Sequence, residues 1–139
     1  MANSNKPVGL TQSAGYQAGV RRTFPLPLEE AWHLIISPEG ISLWLGSTAL
    51  TELRVGEQYT TGEGISGEIR VVNHAENIRM TWKPENWDKP STLQIRTIAS
   101  GSNKTTISFH QENLPDAAVR EEMIARWGQV LADLKSAIG

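Results

Sequence analysis

The chain has 139 residues, 39% hydrophobic and 20% charged, with 12 glycines and 7 prolines, a composition that fits one globular domain burying roughly two-thirds of its unfolded surface. It contains no cysteine, which excludes disulfides, thiol nucleophiles, iron–sulfur clusters and cysteine-ligated zinc and suits a reducing compartment. A formal charge of -2 offers no basic excess for a row of phosphates, no apolar run approaches the ~20 residues of a membrane helix, and the opening Met1-Ala2-Asn3-Ser4-Asn5-Lys6-Pro7 lacks a signal peptide's apolar stretch, so a soluble cytoplasmic protein with no nucleic-acid partner and no membrane insertion is expected.

Residues 1–16 are rich in Ser, Asn, Thr, Gly and Ala, with Leu10 and Tyr16 too far apart to build a packed face, and read as a flexible tail before a single domain at 17–139. The first strand is expected from Gln17 to Phe24, closed by Pro25 and Pro27. Leu28 to Ile36 opens with Glu29 and Glu30 and spaces Leu28, Ala31, Trp32, Ile35 and Ile36 at helical intervals. Ser37 then reads as a cap with Pro38 at the first helical position, starting a second short helix that presents Ile41, Trp44 and Leu45 before Gly46.

Gly56, Gly62, Gly64 and Gly67 mark tight turns and hairpins around a strand at Gln58 to Thr61. Partial alternation follows in Glu68–Val72, Ile78–Lys83, Thr92–Ala99 and Thr105–Gln111, joined by short polar connectors as in an antiparallel meander. From Pro115 or Asp116 to Ile138 the residues Val119, Met123, Trp127, Val130, Leu134 and Ile138 recur at spacings of 4, 4, 3, 4 and 4, which keeps all six within one arc of ~100°. Glu121, Glu122, Gln129, Asp133 and Ser136 fall on the far side, and Glu122 with Arg126 has the spacing of a favourable intrahelical pair. Such a helix runs roughly 35 Å, enough to cross a whole sheet.

A sheet with one apolar face must bury it, and the terminal helix carries the matching stripe, so the sheet should curl around that helix. Five stretches carry a resemblance: Val20-Arg21-Arg22-Thr23-Phe24 with Glu29-Glu30-Ala31-Trp32; Ser37-Pro38-Glu39-Gly40 with Trp44-Leu45-Gly46; Gly67-Glu68-Ile69; Ile78-Arg79-Met80-Thr81-Trp82; and Asn113-Leu114-Pro115 with Arg126-Trp127-Gly128-Gln129-Val130-Leu131. In that order they resemble the START-like (SRPBCC) superfamily, in the branch named for activators of the heat-shock-protein-90 ATPase. The resemblance implies an α+β helix-grip fold, START-like and birch-pollen-allergen-like, with six to seven curved antiparallel strands around a long C-terminal helix and two short helices after the first strand. Gln111 stands where many relatives carry His, and Arg126 where Gly before Trp is usual, so no role resting on either is carried over. The family's chaperone activators also have a separate amino-terminal clamping domain, which the leader at 1–16 is too short to replace.

The resemblance further implies a cavity between helix and sheet for a small hydrophobic or amphipathic molecule. Its lining would fall to Trp44, Tyr59, Ile69, Met80, Trp82, Leu93, Ile95, Ile107, Phe109, Met123, Trp127 and Val130. No catalytic residue, metal site or cofactor is expected: His33, His74 and His110 have no ligand partner at metal spacing, Ser37 and Ser42 lack a nucleophile elbow, and Gly62-Glu63-Gly64 is a turn without a phosphate loop's Lys. Arg70, Arg79 and Arg96 lie in strands, where parity turns Arg79 and Arg96 away from the apolar sets. The leading reading is a non-catalytic binding module. A cyclase or hydrolase of the superfamily, and a chaperone-related or stress-response interaction module that includes a homodimer, are the alternatives, the last marked by an apolar patch near Trp87 or Leu45.

Overall fold

A computed structural model describes residues 10–11, 15–50 and 52–138. The chain runs β1 (Leu10–Thr11), β2 (Gly15–Phe24), α1 (Leu28–Ile36), α2 (Pro38–Trp44), β3 (Gln58–Thr60), β4 (Ile65–Asn73), β5 (Asn77–Pro84), β6 (Ser91–Gly101), β7 (Lys104–Leu114) and α3 (Ala117–Ala137). The strands form one antiparallel sheet in the order β1-β2-β7-β6-β5-β4-β3. This is the helix-grip fold. The expected tail at 1–16 lies mostly outside the described residues; within it Leu10–Thr11 pair with Gly15–Tyr16, so β2 begins before Gln17.

The two short helices turn sharply because Ser37 is extended, at φ -70° and ψ 155°, and its Oγ accepts from Gly40 N at 3.1 Å while Pro38 needs no donor. The turn leaves no room for a side chain at position 40: a Cβ there would lie 1.7 Å from the Leu34 carbonyl oxygen. Glu29 and Glu30 occupy the first turn of α1, where the dipole favours them. Asp116 caps α3 by accepting from Val119 N at 2.8 Å.

Alternation in the meander buries Ile78, Met80 and Trp82 of β5, Leu93 and Ile95 of β6, and Ile107 and Phe109 of β7. The stripe on α3 meets them with Met123, Trp127, Val130 and Leu134, plus Leu131, while Val119 and Ile138 at its ends are half-buried. At about 1.5 Å per residue the 21-residue helix is about 32 Å long. Its backbone rests chiefly on β2, β7 and α2, and its reach to β5 is made by the Trp127 side chain.

β4 begins at Ile65 rather than Glu68, so Gly67 lies inside a strand and not in a turn. Tyr59 on edge strand β3 reaches across Gly67 to donate its hydroxyl to Thr81 O at 2.6 Å, while Glu68 N donates to Thr81 Oγ1 at 2.8 Å, two residues before the β4–β5 register slips between Ile69 and Val71. Glycine is required because the Thr81 carbonyl of β5, with the crossing phenol beside it, occupies the space a Cβ would take.

Candidate functional site

The interface between α3 and the sheet is a continuous row of rings. Trp44 meets Phe109 edge-on at 6.4 Å, Phe109 stacks on Trp127 at 5.2 Å, Trp127 meets Trp82 at 5.7 Å, and Trp82 meets Trp87 at 5.6 Å. The first four are buried and Trp87 is half-buried. Stacked and edge-to-face pairs of this kind contribute about 0.5–1.5 kcal/mol each beyond their buried area. The end at Trp44 is closed by its own α-helices, with Nε1 donating to Ile35 O at 2.8 Å. The end at Trp87 is covered by the connection between β5 and β6, whose Glu85, Asn86, Asp88, Lys89 and Pro90 are exposed.

A buried polar chain threads this row. Trp127 Nε1 donates to Gln111 Oε1 at 2.7 Å, Gln111 Nε2 donates to Ser91 Oγ at 2.9 Å, and Ser91 Oγ donates to Trp82 O at 2.6 Å. Glutamine is apt at position 111 because it must accept from the helix and donate to the sheet at once. Gln111 and Ser91 are 0% and 1% exposed, so the chain is satisfied without solvent and fastens α3 to β7, β6 and β5.

Trp82 breaks the pattern. Among the described residues its buried Nε1 donates to nothing, and the same holds for buried Nε of Arg126. The two belong to one stack: the Arg126 guanidinium carbon lies 5.1 Å from the Trp82 ring centroid and 5.5 Å from that of Trp127. The remaining nitrogens of Arg126 hold Glu63 two-handed, Nη2 to Oε1 at 2.8 Å and Nη1 to Oε2 at 3.3 Å. The intrahelical Glu122–Arg126 pair expected from spacing does not form, because Arg126 is drawn inward over the rings and finds Glu63 of the β3–β4 turn, leaving Glu122 exposed.

All twelve residues expected at a ligand site converge on this interface or its rim, each 6% exposed or less. They pack in one cluster with one another. Among the described residues, clefts open elsewhere on the surface, and Tyr59 is the one of the twelve that lines the more prominent of these. The most apolar, about 500 Å³, lies between α1, α2 and the end of α3, with Leu26, Leu34, Leu43 and Ile138 in its walls and Glu29, Glu30 and Glu39 around it.

Leu45 is fully buried and Trp87 is turned onto Trp82, so the apolar patch that would favour an interaction module is not formed there; the large apolar side chain left exposed among the described residues is Val55. His33 is exposed, His74 pairs with Glu29 at 2.8 Å, and His110 bonds Gln17 at 2.9 Å. Arg70 and Arg96 are exposed, and Arg79 contacts Gln94 Oε1 at 3.5 Å, in line with strand parity. No group of three metal-ligating side chains occurs among the described residues.

Apart from Tyr59, the buried polar residues among those described are hydroxyls and one amide. Burial pushes the Tyr59 phenol well above its ordinary range, so it stays protonated. Since the folded phenol resists ionisation and the unfolded one does not, this contribution is complete below pH about 10 and is lost as pH rises beyond it. Tyr59→Phe should lose about 1 kcal/mol at neutral pH with the bond to Thr81. Above pH 10 its stability should decline less steeply than that of the parent, by up to about 1.4 kcal/mol per pH unit. Urea midpoints at pH 7 to 11 measure both, and parallel slopes would refute the assignment.

Trp87, Arg126 and Glu63 were not among the residues expected to line a site. Arg126 sits one position off the helical stripe, and Glu63 lies in a glycine-flanked turn, so periodicity gives neither an inward direction.

Residues 25–139 match the family described as Activator of Hsp90 ATPase homolog 1-like protein. No curated protein matches the chain by sequence. Among solved structures, PFC0360w, an HSP90 activator from Plasmodium falciparum, superposes with a TM-score of 0.76 at 22% identity over 88% of this chain and 96% of its own. CalU16 from Micromonospora echinospora gives 0.75 at 20% identity over 91% of this chain and 79% of its own. DynU16, from the dynemicin biosynthetic locus, gives 0.76 at 15% identity over 88% of this chain, which spans only 46% of DynU16. At these identities the likeness is one of fold. No helix among the described residues is long and apolar enough to cross a membrane.

Proposed function

The chain belongs to the Activator of Hsp90 ATPase homolog 1-like family, and from that premise we propose that residues 17–139 act as one cytoplasmic domain that binds a small hydrophobic or amphipathic molecule between α3 and the sheet without altering it chemically. The observation that carries this reading is the row of rings running from the buried Trp44 to the half-buried Trp87. Aromatic walls of this kind suit a flat apolar guest. Since the row is packed, a guest is admitted by lifting Trp87 from Trp82, a movement confined to one exposed connection.

The neutral fluorophore N-phenyl-1-naphthylamine should brighten saturably at one molecule per chain, and Trp87→Ala should change its affinity at least threefold. Absence of saturable brightening, or indifference to Trp87, would overturn the reading.

A second reading takes its support from the apolar cleft of α1, α2 and α3 with Glu29, Glu30 and Glu39 around it, which suits a basic amphipathic protein segment. The Plasmodium relative is an HSP90 activator. Stimulation of a purified Hsp90 ATPase by this chain would support it, as would a homodimer in light scattering for self-association; an unchanged ATPase rate and a monomer would remove both.

A further inference from the structure

We propose that Arg126 and Trp82 receive the acidic group of the guest, so that the molecule bound is an aromatic acid: a flat ring system bearing a sulfonate, carboxylate or phenolate. This rests on the binding reading given above and specifies its ligand. The geometry points to it through two buried donors with nothing to donate to among the described residues, Trp82 Nε1 and Arg126 Nε, both in the stack formed by the guanidinium and the indole 5.1 Å apart. An unmet buried N–H is a costly feature that one incoming oxygen acceptor relieves.

Charge decides which acceptor. The Arg126 side chain is 27% exposed and lies over two indoles, whereas Glu63, its counter-ion, is 58% exposed at the tip of a turn. Glu63 therefore returns to water at little cost, and Arg126 needs a replacement negative charge when it does. A guest's acidic oxygens displace Glu63 and take the Nε and Nη2 edge of the guanidinium, which includes the unused Nε, while its rings enter against Trp82 and Trp127 where Trp87 lifts. Guest selection thus requires the ring and the acid together.

Two fluorophores that differ only by an acidic group test this: 8-anilinonaphthalene-1-sulfonate and neutral N-phenyl-1-naphthylamine. The sulfonate should bind the parent chain at least tenfold more tightly. R126Q should bring the two affinities within twofold of each other, read as the ratio between the probes so that any loss of binding common to both cancels. E63Q should tighten sulfonate binding threefold or more, since it removes the competitor, an effect that mere loss of a structural ion pair would not produce. If the neutral probe binds but the sulfonate shows no advantage, or R126Q preserves that advantage, or E63Q fails to tighten it, the acid receptor falls and the binding module stands. If neither probe binds, the binding reading itself fails. Should R126Q prove unfolded by circular dichroism, the E63Q result alone decides.

Discussion

Trp127→Ala is expected to lower the stability of the domain by about 4 kcal/mol, the middle of the range for removing a buried aromatic side chain. The residue is fully buried, stacks on Phe109, edges onto Trp82 and donates to Gln111. Its removal therefore opens a void and leaves Gln111 Oε1 without its donor. Because a domain of this size is stable by roughly 5–15 kcal/mol, this loss removes between about a quarter and most of the total. Urea denaturation reads the shift in midpoint at constant slope. Trp127→Phe separates the contributions, because it keeps ring packing and loses the hydrogen bond; about 1–2 kcal/mol is expected there. A loss below about 1 kcal/mol for the alanine variant would mean that the helix does not press its stripe into the sheet.

Gly67→Ala should be nearly as damaging, at about 3 kcal/mol, although it adds only one methyl group. A Cβ at that position would stand 1.9 Å from Thr81 O and 2.6 Å from the Tyr59 hydroxyl oxygen. The carbonyl belongs to the neighbouring strand and cannot swing aside, so β4 must separate from β5, and Tyr59 must give up its bond as well. Gly128→Ala supplies the control, since a Cβ there meets nothing within 4 Å. In the middle of α3 it should add up to about 1 kcal/mol of stability through helix propensity. Thermal unfolding of the two variants side by side should show opposite shifts; equal shifts would refute the crowding at position 67.

These cases show which features a reader of the chain can recover. α1 and α2 were legible because Ser37 before Pro38 is a boundary in its own right, and α3 because a stripe of six apolar residues admits one periodicity. Strands β5 to β7 alternate because one face is packed and the other wet, which a short window reveals. The twelve expected site residues could be gathered for the same reason: burial is a local property of pattern. Gly67 was misplaced into a turn because what makes glycine necessary there is the Thr81 carbonyl of the neighbouring strand, with the Tyr59 phenol crossing from a third. The Arg126–Glu63 clasp joins residues 63 positions apart, and the competing local partner Glu122 had the better spacing. The roles of Gln111 and Ser91 likewise arise only when three elements meet.

β2, almost the first element of the chain, is paired along its length with β7, the last strand, so that Thr23 and Thr106 share a hydrogen bond across 83 residues. α3 then locks against β2, with Arg120 Nε donating to Gln17 O at 2.7 Å. A nascent polypeptide emerging from the ribosome thus holds a strand and two helices whose partner has not yet been synthesised, and the largest loop must close before the grip exists. Such non-local closure places folding late and makes it slow compared with helical bundles of equal size. Truncation within the final turns of α3 should therefore forfeit cooperative folding as a whole rather than shorten the product by one loose end.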